Sequence, residues 1–350
     1  LPLLAAALAT AATMVAVPAH AGRRAPAGPT GDAAICIAQS GAKAIAACDR
    51  AIALNHFRGS DLAVLYVSRA IEYYRNDKYD AAIADTDNAI RLDPKLHDAY
   101  STRGMSHHEK QDYDQAIADL DTAIRLDPGN AAYYEQRGTS WLAKGETARA
   151  MADFDIRIAR TPREAPGYLS RARAWEKMGE TKRAIADLDT FIGLDPSEPA
   201  AFYMRGHLRN VSGDGDGALA DYDTVIRLKP DLAVAYNNRG GVWYDRKDWD
   251  RALVEFNTAI RLDPTTAYFF VNRGEAYRGK HDSAHAIADF SAAVKLEPQN
   301  SVALFRRGVL LRDGGDTSSG ESDIAAATRI DPRWVADQIA AKPAAEHAAK

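Results

Sequence analysis

Cysteine is nearly absent from this chain of 350 residues: Cys36 and Cys48 are the only two, and their spacing of 12 is not the Cys-x-x-Cys of a redox-active pair. Charge of one sign is lacking as well. The net charge is −4, with no basic block and no run of aromatics interleaved with Lys or Arg, so nucleic acid is excluded as a partner class. No G-x-S-x-G, P-loop, H-E-x-x-H or glycine-rich dinucleotide fingerprint occurs, which leaves no motif for an enzyme and no catalytic residue or cofactor to name. Metal ligands are equally sparse. His107 and His108 are adjacent and so face different ways on a helix, while His281 and His285, at i, i+4 beside Asp282, have no third ligand nearby. Gly213-Asp214-Gly215-Asp216-Gly217 lacks the spaced ligands and distal Glu of a calcium loop and reads as a turn.

What is present is a period. Pro94, Pro128, Pro162, Pro196, Pro230, Pro264, Pro298 and Pro332 stand 34 residues apart. Before each runs a helix-forming stretch, as in residues 116–127, where Ala116, Leu120, Ala123 and Ile124 fall at i, i+4, i+7 and i+8 and make one apolar face. Proline lacks an N–H and restricts the residue before it, so Leu-Asp-Pro reads as the helix stop. Just past their prolines, Asn130, Ser197, Thr266 and Asn300 are placed to cap the next helix by accepting from its free N–H groups. A polar turn such as Lys144-Gly145-Glu146 then leads into the second helix of a pair. Small residues 12 apart straddle that turn: Gly104 with Ala116, Gly138 with Ala150, Gly206 with Ala218, Gly240 with Ala252 and Gly274 with Ala286. They predict close approach at the neck of a helical hairpin. Tyr100, Tyr134, Tyr168, Phe202 and Tyr236 on the first helices, and Leu120, Phe154, Leu188, Tyr222, Phe256 and Phe290 on the second, are expected to fill the wider parts. One hairpin of this size cannot bury such a stripe alone, so each must stack on its neighbours.

A 34-residue helix-turn-helix unit reading aromatic, Arg-Gly, aromatic, Ala, Phe, Ala-Ile and terminal Pro resembles the tetratricopeptide repeat. Asn238-Arg239-Gly240, Asn272-Arg273-Gly274 and the recurring Ala-Ile-x-Asp carry the likeness. It implies an all-α fold, a right-handed α-solenoid (superhelix) of stacked antiparallel helix pairs, and a role in binding proteins. The expected organisation is a signal peptide at 1–21, a linker at 22–31, a helical hairpin at 32–62, eight repeats over 63–334 and a short capping helix with a loose tail at 335–350. The repeats are bounded at 63–96, 97–130, 131–164, 165–198, 199–232, 233–266, 267–300 and 301–334.

Residues 3–17 are almost wholly apolar and end in Pro18-Ala19-His20-Ala21, which reads as a secretory signal cleaved after Ala21, leaving no stable membrane span. The stretch is short for a span, although an uncleaved anchor is the alternative. Export to the periplasm or beyond admits a disulfide. Cys36 and Cys48 have the spacing of the later Gly/Ala necks, with Ser40-Gly41 between them as a turn, and exported bacterial proteins of the resembled family often begin with a similar two-cysteine hairpin. Closing so short a loop stabilises the fold by about 3 kcal/mol.

Arg69, Arg103, Arg137, Arg171, Arg205, Arg239, Arg273 and Arg307 keep the 34-residue period, as do Asp85, Asp119, Asp153, Asp187, Asp221, Glu255, Asp289 and Asp323. A charge present in every copy predicts a contact present in every copy, an Arg–carboxylate ladder. Function is expected where copies differ, on the first helices, whose inner surface lines a groove in the resembled family. Those places hold Asp98, Ser101, Met105 and His108, then Glu135, Gln136 and Thr139, then Arg173 and Glu176. The last four repeats are the more suggestive: Tyr203, His207, Asn210, Asn237, Asn238, Tyr244, Tyr268, Asn272, Glu275, Arg278, Phe305, Arg306, Val309 and Arg312. Asn both donates to and accepts from an extended peptide, Tyr and Phe offer flat apolar contact, and Arg278, Arg306 and Arg312 are suited to a carboxylate. Asn238, Asn272 and Arg306 partly echo the family's clamp for a C-terminal carboxylate, but apolar Val234 and Tyr268 fill its lysine positions. The expected function is therefore a non-enzymatic scaffold of the bacterial envelope holding an internal peptide segment. The alternatives are a self-associating solenoid and a regulatory or carrier subunit for an enzyme or small ligand.

Overall fold

The computed structural model describes residues 31–347; the apolar segment, its cleavage site after Ala21 and residues 22–30 of the expected linker lie outside the described residues. Nineteen helices and no strand occur among the described residues, in two compact units divided after Pro196. The first unit contains α1 (Gly31–Ala38), α2 (Ala42–Ala53), α3 (Gly59–Arg75), α4 (Tyr79–Leu92), α5 (His97–Glu109), α6 (Tyr113–Leu126), α7 (Ala131–Lys144), α8 (Thr147–Arg160), α9 (Pro166–Lys177) and α10 (Thr181–Leu194). The second contains α11 (Pro199–Val211), α12 (Gly215–Leu228), α13 (Ala233–Asp245), α14 (Trp249–Leu262), α15 (Ala267–Gly279), α16 (Ser283–Leu296), α17 (Ser301–Asp313), α18 (Thr317–Ile330) and α19 (Pro332–His347). Within each unit consecutive helices pack as antiparallel pairs that stack on one another, an α-solenoid.

Local chemistry sets the helix ends. Asp93, Asp127, Asp195 and Asp263 leave the helix for extended backbone at φ near −140°, as a residue preceding proline must. Asn130 and Asn300 do cap α7 and α17, accepting from Ala132 N at 3.1 Å and Ala303 N at 3.0 Å. At the other two sites the expected caps differ. Glu198 rather than Ser197 accepts from Ala200 N, because α11 starts later, at Pro199, and the Thr266 hydroxyl donates to Asp263 at 2.6 Å instead. Each hairpin turn passes through one left-handed residue, again every 34 positions: Asp77, Gln111, Gly145, Gly179, Gly213, Lys247, His281 and Gly315. Only half of these are glycine, the residue for which that conformation carries no Cβ clash.

The core sits between the two helices of each pair. Leu120, Phe154, Leu188, Tyr222, Phe256 and Phe290 are all buried to within 1%. A methyl added to Gly138, Gly240 or Gly274 would lie 2.6, 2.8 or 2.9 Å from the ring of Phe154, Phe256 or Phe290, so the glycines admit the ring of the partner helix. Of the first-helix aromatics, Tyr134 and Phe202 are buried as expected, and the other three differ. Tyr100, Tyr168 and Tyr236 are only half-buried, and their hydroxyls donate to the carbonyls of Pro94, Pro162 and Pro230, latching the inter-repeat loop.

The arginine ladder is present, and several of its rungs are triple. Arg103 forks onto Asp119 at 2.7–2.8 Å within its own pair and reaches back to Asp87 on the preceding second helix at 2.6 Å. Arg137 and Arg171 repeat the arrangement, and Arg239 meets Glu255 and Asp223. The hydrogen bonds that these arginines donate to the carboxylates raise the pKa of Arg103, Arg137 and Arg171 above the ordinary arginine value.

At the N-terminal end, Cys36 and Cys48 form a disulfide with Cα atoms 4.8 Å apart, both fully buried among Ala33, Ile37, Ala47, Phe57 and Leu65. Glu72, 1% exposed on α3, accepts from Gly41 N at 2.6 Å and so ties the turn of this hairpin to the next helix. At the other end Trp334 of α19 meets Phe305 edge-on at 5.6 Å and covers the last pair.

Candidate functional site

The first helices present a face on which neighbouring copies differ. There, polar side chains pair across adjacent first helices at an offset of 35 residues. Ser101 donates to Gln136 at 2.7 Å, Tyr133 to Asp98 at 2.9 Å and Ser170 to Glu135 at 2.9 Å in the first unit. In the second unit the pairing becomes a chain. Asn272 donates to Asn237 at 2.9 Å, Asn237 to Asn238 at 3.1 Å, and Asn238 to the Tyr203 hydroxyl at 2.8 Å.

Many residues expected to face a ligand therefore serve these contacts. Asp98, Ser101, Met105, Glu135, Gln136, Tyr203, Asn237 and Phe305 are buried. Arg306 is half-buried, in an ion pair with Glu275 at 2.7 Å and donating to Gln338 at 3.1 Å. Of the expected residues in the second unit, His207, Asn210, Asn238, Tyr244, Tyr268, Asn272, Glu275, Arg278, Val309 and Arg312 also keep solvent access. Arg278, exposed, forks onto Glu275 Oε2 at 2.7 and 2.9 Å, and Arg312 meets Asp313 at 3.3 Å. Burial raises the Tyr244 hydroxyl above its usual pKa, beside Glu275. Asn210 reaches Asp245 at 3.4 Å. In the first unit His108, Thr139 and Arg173 are half-buried and Glu176 is exposed.

Sequence reasoning missed one group. Arg157 and Glu135, with side chains 8% and 9% exposed, pair at 3.0 Å inside the first unit. The signal lay in the period: the positions 34 residues from Arg157 are the apolar Ala123 and Phe191, and Glu135 has Ser101 and Leu169.

The rival chemistries resolve into structure. Asp214 caps α12 by accepting from Gly217 N, and Asp216 pairs with Arg246 at 2.7 Å. His285 pairs with Asp282 at 2.7 Å and stacks on Tyr277, away from any metal-sized cluster; no group of three or more His, Cys, Asp or Glu suited to a metal occurs among the described residues. Nor is any described helix long and apolar enough to cross a membrane.

The tetratricopeptide repeat model matches residues 67–131, 101–167, 169–233, 203–267 and 271–333. The chain belongs to the tetratricopeptide repeat family. Solved structures with this fold include a tetratricopeptide repeat protein from Parabacteroides merdae, 16% identical, with a TM-score of 0.54 over 71% of this chain and 98% of the other. The C-terminal part of a repeat-containing protein from Cytophaga hutchinsonii is 20% identical, with a TM-score of 0.54 over 69% and 98%. Cut9–Hcn1, a hetero-tetramer of the APC/C, is 18% identical, with a TM-score of 0.55 over 88% and 62%. No curated protein is significantly similar in sequence. As a tetratricopeptide repeat chain, this molecule is a scaffold for protein–protein interaction.

Proposed function

We propose that the chain holds an extended segment of a partner protein against the first-helix face of its second unit, and that it does so in the bacterial cell envelope. The observation that carries the first part is Asn272. It is half-buried and gives one N–H to Asn237, while its carbonyl oxygen has no partner among the described residues. Tyr268 stands one turn before it and Arg278 further along the same helix. A carboxamide with an acceptor to spare, an aromatic beside it and a guanidinium nearby suit the backbone, an apolar side chain and a carboxylate of an extended peptide. The envelope location is supported by the Cys36–Cys48 disulfide, which is favoured in an oxidising compartment, and by the signal-like residues 3–17.

A photo-crosslinking residue placed at Tyr268 in intact cells tests this reading. The expected result is a partner captured from Tyr268 and not from Val254, which is 63% exposed on the opposite, second-helix side. Equal capture from both, or loss of none of it on Asn272→Ala, would remove the groove assignment.

A further inference from the structure

The last helix covers residues expected to meet a ligand. Trp334 of α19 stands edge-on to Phe305 at 5.6 Å, and the Arg306 guanidinium lies 5.9 Å over the same indole. Gln338, one turn along, meets Arg306 at 3.1 Å; arginine has only N–H groups to offer, so the carboxamide oxygen is the acceptor. Phe305 is left 5% exposed. Arg306 is tied on one side to α19 and on the other to Glu275 of α15, the helix that carries Tyr268 and Asn272. An apolar side chain on Phe305 and a carbonyl on a guanidinium are what an extended segment would offer at these two positions. Here the chain supplies both itself.

α19 is held loosely by comparison with the pair beneath it. Of residues 332–340 only Val335 is buried, packing with Leu304 and Ala327, while Ile339 stays 56% exposed. The pair α17 and α18 has strong contacts of its own. A methyl added to Gly308 would lie 2.7 Å from the Gly320 carbonyl oxygen, so the two backbones meet directly, and Arg307 forks onto Asp323 at 2.6 and 2.9 Å. Covering the end of such a pair needs only apolar contact. Gln338 adds a hydrogen bond to a charged group, which makes α19 a closer substitute for a bound segment than a cover requires.

We propose that α19 is an internal competitor. In the free chain it occupies the end of the first-helix face at Phe305 and Arg306; a partner's extended segment displaces it, setting a carbonyl on Arg306 and an apolar side chain on Phe305. This rests on the reading of the second unit's face as peptide-binding. The apparent affinity for the partner is reduced by the fraction of chains in which α19 is open, so weakening the seat of α19 tightens binding. A released α19 also loses its helix, because so short a segment is marginal in water without a surface to pack on.

Hydrogen exchange and crosslinking, both on the full chain, test this. In the free chain the amides of residues 336–340 should exchange at least about tenfold faster than those of α17 and α18, since α19 opens while the pair stays folded. Gln338→Ala removes a hydrogen bond to a charged group and should speed residues 336–340 by about tenfold more, with α17 and α18 unchanged. In intact cells, capture by the photo-crosslinking residue at Tyr268 should rise about threefold or more in Gln338→Ala and in Trp334→Ala. Exchange of residues 336–340 in step with α17 and α18 would make α19 a fixed cover and overturn the proposal. Capture at Tyr268 that both variants leave unchanged would overturn it too, with the groove assignment still standing. Capture absent from Tyr268 in every chain removes the groove itself and the competition with it.

Discussion

Replacing Arg157 by methionine would strike a buried charge in the first unit. Its guanidinium donates to Glu135 at 3.0 Å, to Thr161 at 2.5 Å and to Glu164 at 2.8 Å, and its stem passes where a methyl on Gly167 would lie 2.9 Å away. Methionine preserves most of the stem but leaves the Glu135 carboxylate, 9% exposed, with Ser170 as its hydrogen-bond donor. Removing one partner of a buried ion pair costs about 3–5 kcal/mol, since the remaining charge is neither hydrated nor compensated. Repeat arrays unfold locally, so the loss should appear in α7, α8 and α9 first. Amide hydrogen exchange in those helices should accelerate by roughly 10²- to nearly 10⁴-fold, the corresponding factor at about 1.4 kcal/mol per decade. Exchange in the second unit should hardly change. The double variant Glu135→Leu/Arg157→Met takes both charges away and should recover most of the protection, because an apolar pair of similar volume is often neutral or better. If the single variant exchanges like the parent chain, or the double is as unprotected as the single, the pair is not the keystone inferred from its burial.

Three further outcomes follow from the same geometry. Gln111 and Lys247 occupy left-handed turn positions at φ 65° and 59°, where related turns carry glycine, so Gln111→Gly and Lys247→Gly should each raise stability by about 0.5–1 kcal/mol in thermal unfolding. A decrease would refute the turn strain. Reduction of Cys36–Cys48 should weaken the N-terminal hairpin by about 3 kcal/mol and open residues 31–54 to protease while α5 onward stays protected; a cleavage pattern indifferent to reductant counts against it. Carboxyl titration by NMR should separate two classes. Burial raises Asp85 and Asp153 above 3.8, whereas hydrogen bonds from Arg251, His285 and Ser319 hold Asp248, Asp282 and Asp316 below it. On acidification the raised pair takes up protons in the folded state first, which favours folding down to 3.8. The stabilising contribution of the depressed group is present above 3.8 and is lost as pH falls through their folded values. A single shared midpoint would contradict the assignment.

The repeat itself was legible because the forces that build it recur in every copy. Leu-Asp-Pro stops a helix wherever it falls, and Gly138 must face Phe154 for the same reason that Gly274 must face Phe290. The Arg103–Asp119 fork could be expected from its recurrence alone. The candidate site was legible only in part. Asn237 looks free to choose a ligand because its equivalents in the neighbouring copies are Tyr203 and Val271, yet it accepts from Asn272.

The sequence by itself determined the unit: its length, its helix ends, its apolar stripe and its repeated charges, all governed by contacts within a pair or between identical neighbours. Tertiary structure decided which variable side chains remain available. Adjacent first helices meet at an offset of 35 residues, one beyond the period of 34, so Ser101 finds Gln136 and Asn238 finds Tyr203. Such a contact joins two different residues in two different copies. It leaves no recurring mark in a chain read 34 residues at a time, and it becomes visible only when the helices are laid side by side.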